Sequence, residues 1–593
     1  MKFYKVILGA FIGCLVALLI NFFVKLGVFS LLIAAFSKSS DVSTTVQPNS
    51  VLFMKLNYDI PDRASDNPFG SIDFSTMETV ETSGLNVILR NIEHAKSDKN
   101  IKGIYMELSS IPTSLATLQE LRNKLIEFKE SGKFIICYGE VYSQSAYYVA
   151  SVADKIWLNP EGEIDLHGMS SQIMFYKNLF DKLDIEMQIV RGPNNRFKSA
   201  VEPYFLDKMS EANREQMDKL LGTLWGQLLL GITQNRDITI EQLTQMADNL
   251  ELMSDAEKAL EYGLVDQLYY KDQVLEQLRV LTGSEGKVNA IGNDNYAKSY
   301  KTKDTSKNEI AVIYALGQIY DGKGNEEEAI YSENLTKTIR KAREDDNVKA
   351  IVLRVNSPGG SALASAIIGR ELDLTQAKKP IIVSMGNYAA SGGYWISAKG
   401  DYIFADPTTL TGSIGVFGTI PNLQGFFNNK LGLTFDVAKT NKNADFGSIT
   451  QPLTDFQYAK LQASVVKTYD KFTQRVAEGR GLRQTYVDSI GQGRVWAGAD
   501  AIELGLVDQL GDLEDAIAFA ASKANLGNDY KITELPEEKD FFTRLMESMS
   551  NTDDLEIAMK QKLGVYYNYL QGLDNLQKNT GIQARMPFDL VIE

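Results

Sequence analysis

Residues 386–397 read Gly386-Asn-Tyr-Ala-Ala-Ser391-Gly-Gly-Tyr-Trp-Ile-Ser397, directly after the apolar run Pro380-Ile-Ile-Val-Ser384. The run predicts a buried strand, the small residues a tight turn, and the aromatic and apolar residues beyond them a helix that starts near the serine. Small neighbours let other backbone approach the Ser391 hydroxyl, and the first turn of a helix presents unpaired N–H groups to whatever binds there. A lone serine at such a turn is commonly no more than a helix cap. A second copy of the architecture decides the reading.

Self-similarity at a constant shift runs through the chain. Ile101-Lys-Gly-Ile-Tyr-Met-Glu-Leu matches Val348-Lys-Ala-Ile-Val-Leu-Arg-Val, and Gly139, Tyr147, Asp154, Pro160 and Gly168 fall on Gly386, Tyr394, Asp401, Pro407 and Gly415. With two inserted residues, Phe197-Lys198-Ser-Ala-Val-Glu-Pro203 lies over Phe446-Gly447-Ser-Ile-Thr-Gln-Pro452. Gly263-Leu-Val-Asp-Gln-Leu268 recurs letter for letter at Gly505 to Leu510. Two homologous α/β repeats follow, 51–275 and 308–530, joined by a polar linker at 276–307 and followed by a helical tail at 531–593. In each, strands alternate with amphipathic helices (85–95 and 335–343 among them), which predicts mostly parallel sheet with helices packed on it. The long helical stretches 208–233 and 454–479 are expected to pack over or between the halves.

The informative positions are those where the copies disagree. Ser391 lies over Gln144, and Lys198 lies over Gly447. A serine and a lysine of one ancestral unit are thus each kept once, in opposite halves, which points to a Ser–Lys dyad split between them. A serine hydroxyl needs a neighbouring base, and a lysine serves once burial has made it neutral. Phe197, Ala200 and Val201 supply apolar surroundings. Asn356-Ser-Pro-Gly359-Gly360-Ser361 offers backbone N–H groups of Gly359 and Gly360 for an oxyanion; the alternative is a plain Pro-Gly turn. The first-half counterpart, Ser109-Ser-Ile-Pro-Thr-Ser, lacks both glycines, in keeping with a dead site. Thr411-Gly-Ser413-Ile-Gly415 either sets the Ser413 hydroxyl against the lysine amine or is a simple turn.

Composition narrows the classes. The 593 residues are 44% hydrophobic and 23% charged with a net charge of −15, which fits an ordinary globular chain and disfavours nucleic-acid binding. Cys14 and Cys137 cannot build a disulfide framework, thiolate zinc site or cysteine redox motif. His94 and His167 are too few for a histidine metal centre, leave little room for a Ser–His–Asp triad, and read as ordinary surface or packing residues. No cofactor or metal is expected.

At the N-terminus, Lys2 and Lys5 precede the uncharged run 6–24, which spans roughly 28 Å as a helix and so matches the hydrocarbon thickness. Residues 1–36 are expected to be an uncleaved signal anchor; Ala34-Ala35-Phe36-Ser37 is the competing cleavage site. Residues 37–50 are expected to be a tether, and the leading lysines to keep the N-terminus cytoplasmic with the bulk of the chain outside.

Tyr388-Ala-Ala-Ser-Gly-Gly-Tyr, Phe197-Lys-Ser-Ala-Val-Glu-Pro, Ser357-Pro-Gly-Gly-Ser and Gly412-Ser-Ile-Gly together resemble signal peptide peptidase A, the membrane-anchored serine peptidases of the long, two-repeat type. The resemblance runs from the N-terminal run to Leu510. It implies a Clp-protease/crotonase-like fold in each repeat, Ser391 as nucleophile and Lys198 as general base. It also implies a bowl-shaped homotetramer on the outer face of the cytoplasmic membrane, and released signal peptides as substrates. Two other classes compete: a crotonase-like CoA-thioester enzyme and a non-catalytic membrane scaffold.

Overall fold

The structure, a computed structural model, describes residues 45–63, 72–73, 78–79, 83–300, 305–327, 329–537 and 581–586. The expected anchor at 1–36 lies outside them, as do 37–44 of the expected tether and 538–580 and 587–593 of the expected tail. No helix among the described residues is long and apolar enough to cross a membrane.

Two largely parallel sheets carry the chain. The first orders its strands Gln267–Leu268, Lys155–Ile164, Phe134–Tyr142, Ile101–Glu107, Ser50–Met54 and Ala290–Gly292, all parallel. The second orders Val495–Ala497, Leu410–Gly412, Ile381–Ala390, Val348–Ser357, Glu309–Leu316 and Lys531–Leu535, with Tyr402–Ala405 and Gln509–Leu510 branching from Ile381–Ala390. Strands buried on both faces read as continuous apolar runs, which is why Ala350 to Leu353 and Ile381 to Val383 carry no polar residue.

The residues shared by the two halves do the same work in each. Asp154 accepts from the Ile135 N–H at 2.8 Å, and Asp401 from the Ile381 N–H at 2.7 Å. Tyr147 donates to the Leu264 carbonyl at 2.7 Å, and Tyr394 to that of Leu506 at 2.8 Å. Asp266 and Asp508, from the two identical hexapeptides, each take a strand N–H, of Ile156 and Ile403, at 2.8 Å. These bonds satisfy backbone that the sheet leaves unpaired at its strand ends.

Two expectations are corrected. The stretch 276–307 is no bare linker: the helix Lys271–Thr282 runs into it, Ala290–Gly292 extends the first sheet beside Ser50–Met54, and the helix Asn293–Ala297 follows. The described parts of 531–593 are strands, not helices. Lys531–Leu535 pairs with Glu309–Leu316, and Gly581–Arg585 joins a third sheet. Alternation in Lys531-Ile-Thr-Glu-Leu535 is a two-residue period, and the open sheet edge captures it.

That third sheet ties the halves together. Its order is Ile330–Tyr331, Ile319–Tyr320, Gly359–Ser361, Gly581–Arg585, Phe417–Asn422 and Glu186–Arg191, so a first-half strand pairs antiparallel with a second-half one over Phe417↔Arg191 to Asn422↔Glu186. Each long helix also reaches across. Tyr458 and Gln462 of Asp455–Arg480 donate to the carbonyls of Ile189 and Arg191, and Gln216 of Glu211–Thr233 accepts from the Val495 N–H. Beneath them, Arg354 donates to Asp62 at 2.6 Å and Glu120 at 2.5 Å, all three buried. Burial alone would lower the guanidinium's pKa; the two carboxylates hold it raised.

Candidate active site

Ser391 ends the strand Ile381–Ala390 and stands ahead of the short helix Gly392–Ser397, where the sequence predicts it. Its backbone is unusual. φ is 54° and ψ −112°, a region that a residue with a Cβ enters only under strain. The Ser391 N–H donates to the Gly412 carbonyl at 2.8 Å and its carbonyl takes the Trp395 N–H at 2.8 Å, so both neighbours fix the turn. The hydroxyl is thereby lifted off the strand axis toward Gly415, whose carbonyl lies 3.4 Å from Oγ.

Lys198 comes from the other half, on the loop that follows the strand Glu186–Arg191 and opens the short helix Ser199–Val201. Its Nζ lies 2.9 Å from Ser391 Oγ, 2.9 Å from Ser413 Oγ and 3.2 Å from the Ser413 carbonyl. Lys198, Ser391 and Ser413 all have 0% of their surface exposed. Burial drives the lysine pKa well below its ordinary 10.5, and Lys198 makes no ion pair among the described residues. The geometry therefore joins a strained hydroxyl to an amine whose charged form burial disfavours.

The stem of Lys198 is held by a residue that sequence reasoning missed. A Cβ on Gly493 would stand 2.5 Å from Lys198 Cβ, and Gly493 has φ +85°. The adjacent Gln492 carbonyl takes the Phe197 N–H at 3.0 Å, and the Arg494 guanidinium lies over the Phe197 ring at 4.6 Å. Gln492-Gly-Arg494 has no counterpart in the repeat alignment that would have marked it.

Gly359 and Gly360 flank the serine turn, but not as an open pair of donors. The Gly359 N–H donates to Ser357 Oγ at 3.2 Å, and both glycines lie in a strand paired to Gly581–Arg585. A Cβ on Gly359 (φ +95°) would meet the Gly392 nitrogen at 2.6 Å and the Ala584 carbonyl oxygen at 2.2 Å. Glycine is required there because two backbones pass its α-carbon.

In the first half, Gln144 occupies the position of Ser391. Its amide nitrogen donates to the Gly168 carbonyl at 2.9 Å, and its oxygen takes the N–H groups of His167 and Gly168. The side chain stitches its own turn closed. Gly447 stands in an exposed segment with open space around its α-carbon, away from any such pair. His167 is exposed beside Asp165 and His94 stacks on Tyr300 at 3.7 Å, both away from Ser391. No cluster able to hold a metal occurs among the described residues.

Sequence comparison gives these residues their setting. Peptidase family S49 matches residues 127–285 and 373–527. The chain is 39% identical over 492 residues to "Protease 4" of Salmonella typhi, covering 81% of this chain and 78% of that protein. It is 33% identical over 596 residues to "Protease 4" of Haemophilus influenzae, covering 96% and 95%. It is 30% identical over 554 residues to "Serine protease SPPA, chloroplastic" of Arabidopsis thaliana, covering 91% and 78%. A match over both halves, and relatives this similar along most of the chain, leave one assignment: the chain belongs to peptidase family S49 and is a serine peptidase.

Proposed function

We propose that peptide bonds are cleaved by a Ser391–Lys198 dyad completed across the two repeats of one chain. The observation that carries this is the 2.9 Å contact between a buried amine, its pKa driven down by that burial, and a strained serine hydroxyl. Neutral Lys198 takes the Ser391 proton as Oγ attacks the carbonyl carbon, then returns it to the leaving amine; water repeats the sequence on the acyl-enzyme. Ser413 receives one amine N–H and so aims the lone pair at Ser391. The backbone N–H of Gly392, next to the nucleophile, stabilises the oxyanion, while Gly359 and Gly360 let the neighbouring backbone close on that turn. Each half is a Clp-protease/crotonase-like unit, and only one of the two serine positions is live.

The substrates are released signal peptides, met at the outer face of the cytoplasmic membrane to which residues 1–36 anchor the chain. The uncharged run 6–24 behind Lys2 and Lys5 supports this. A serine-reactive fluorophosphonate tests the chemistry: labelling at Ser391 that vanishes in Ser391→Ala is expected, and an unlabelled native chain rejects the reading.

The active assembly is a homotetramer. By the repeat, Thr434-Phe-Asp-Val-Ala-Lys439 is the counterpart of Glu186–Arg191, yet Leu433, Phe435 and Val437 are exposed. Its intrachain counterpart pairs with Phe417–Asn422. The matching partner for 434–439 is therefore the segment 170–175 of a second copy, irregular in the single chain, where Met174 is exposed. Such a head-to-tail contact is heterologous and closes into a ring.

A further inference from the structure

The turn 491–494 grips both sides of the amine of Lys198. On one side, the Gly493 N–H donates to the Ile414 carbonyl at 2.8 Å, and the Arg494 carbonyl takes the Ser413 N–H at 2.7 Å. On the other, the Gln492 carbonyl takes the Phe197 N–H at 3.0 Å, one residue ahead of Lys198. Ser413 and Lys198 are therefore tied to one another through this turn as well as through the amine itself. The turn is strained. Gln492 has φ 52° and Gly493 φ +85°, two successive residues in the left-handed region of which only the second is glycine. Such backbone persists where its surroundings fix it.

What fixes it is a carboxylate that the proton transfers do not use. Asp488, on the last turn of the helix Gln484–Ile490, accepts from the Tyr469 hydroxyl at 2.7 Å. That hydroxyl accepts in turn from the Gln492 N–H at 3.2 Å. The two oxygens of Asp488 also take Asn194 Nδ2 at 3.0 Å each, and Asn194 lies on the first-half loop that carries Lys198. One side chain thus holds the helix Asp455–Arg480, the turn and the lysine loop in a fixed relation. It does so by contact and not by charge. Burial is the cause of the depressed Lys198 pKa, to which Arg196, Glu215 and Arg494 around Phe197, and Asp470 and Asp488 beside Asn194, add nothing. The turn also forms without this anchor. Counting back from the two identical hexapeptides, Leu250 takes the place of Gln492 with the same φ of 52°, and Met246 takes that of Asp488, in the half whose serine position holds Gln144.

We propose that Asp488 and Tyr469 are positioning residues of the peptidase, which set through Gln492 and Gly493 where Lys198 Nζ stands between Ser391 and Ser413. The inference rests on Lys198 being the base. Neither side chain touches the reacting atoms, so the effect of each is carried entirely by the placement of the amine, and a base misplaced by about 1 Å costs up to roughly 10²-fold in rate.

The test uses Tyr469→Phe and Asp488→Ala in the full chain. Each should lower kcat about tenfold with KM within about twofold of native. Each should also raise the pH midpoint of kcat/KM by about half a unit, because a loosened loop admits water to the amine and relieves its desolvation. Tyr469→Phe removes one hydroxyl, no charge and no packing, so it keeps the test sound should Asp488→Ala fail to fold. The double variant should be no slower than the slower single one, since both break the same line of contacts. Asp488→Asn, whose amide oxygen still accepts from Tyr469, should recover kcat to within about threefold of native. Native kcat and pH midpoint in Tyr469→Phe overturn the proposal, as does a lowered Tm with an unmoved pH profile. Full hydrolysis by Lys198→Ala would instead overturn the assignment of the base beneath it.

Discussion

Lys198 Nζ stands 2.9 Å from Ser391 Oγ although the two residues belong to different halves of the chain. Replacing Ser391 or Lys198 by Ala should lower kcat/KM by about 10³-fold or more, because nucleophile and base fail as a unit. Ser413→Ala should lower kcat about tenfold with little change in KM, since that hydroxyl orients the base. Co-expressing Ser391→Ala with Lys198→Ala chains should recover no activity, because both groups meet within one chain. Peptide hydrolysis by purified protein checks all four.

The pH dependence follows from the direction of the lysine shift. A protonated amine cannot accept the serine proton, so kcat/KM rises with pH through the Lys198 pKa and levels off well below 10.5. The same depressed pKa has a stability consequence. Lys198 holds fewer protons folded than unfolded, so its contribution is present above 10.5 and is lost as pH falls through the folded value. Lys198→Met, nearly isosteric, should therefore raise Tm at pH 7, by about 2 °C, while abolishing hydrolysis. Calorimetry at pH 7 and pH 10 checks the sign: the gain shrinks at the higher pH.

Gly493→Ala should inactivate the enzyme without unfolding it. The added methyl would sit 2.5 Å from Lys198 Cβ, so the loop carrying the lysine must retreat. A shift of about 1 Å at the base is expected to lower kcat roughly 10²-fold. Native Tm to within a few degrees alongside that loss distinguishes misplacement of Lys198 from misfolding.

The buried charges between the halves set a second pH dependence. Burial raises the Glu120 pKa from 4.5 to about 7, against the pull of Arg354, and burial together with Glu120 raises that of Asp406. Glu120 Oε2 and Asp406 Oδ2 have no hydrogen-bond partner among the described residues, and burial favours the protonated form of each carboxyl. A raised carboxyl pKa contributes stability that is present below 4.5 and lost as pH rises through about 7. Glu120→Gln should gain Tm relative to the native chain as pH rises across that window.

The proposed ring makes a geometric prediction. Gly418 pairs with Val190 inside the chain, and the equivalent positions are Ser171 and Ala438. Ser171→Cys with Ala438→Cys should therefore give intermolecular disulfides on mild oxidation, because paired strand positions fall within disulfide reach. Non-reducing gels should show a ladder ending at the tetramer, and the monomer alone would reject the ring.

The sequence by itself determined the α/β class, the strand–turn–helix at Ser391 and the Ser391–Lys198 pairing. Repetition exposes which residues are structural, because Asp154 and Asp401, or Tyr147 and Tyr394, make the same bonds in both halves. Ser391 and Lys198 stand out by breaking that pattern, each kept in one half only. Tertiary structure decided the rest. Gly493 holds the lysine through space and carries no periodic or repeat signal, so its role is invisible in the chain. Residues 276–307 and 531–593 read as linker and tail because a short strand at a sheet edge has almost no local signature; its partner defines it. The strand Gly581–Arg585 is the extreme case. Its conformation comes from the two edges it pairs with, far away in sequence, and only the folded chain brings those edges to either side of it.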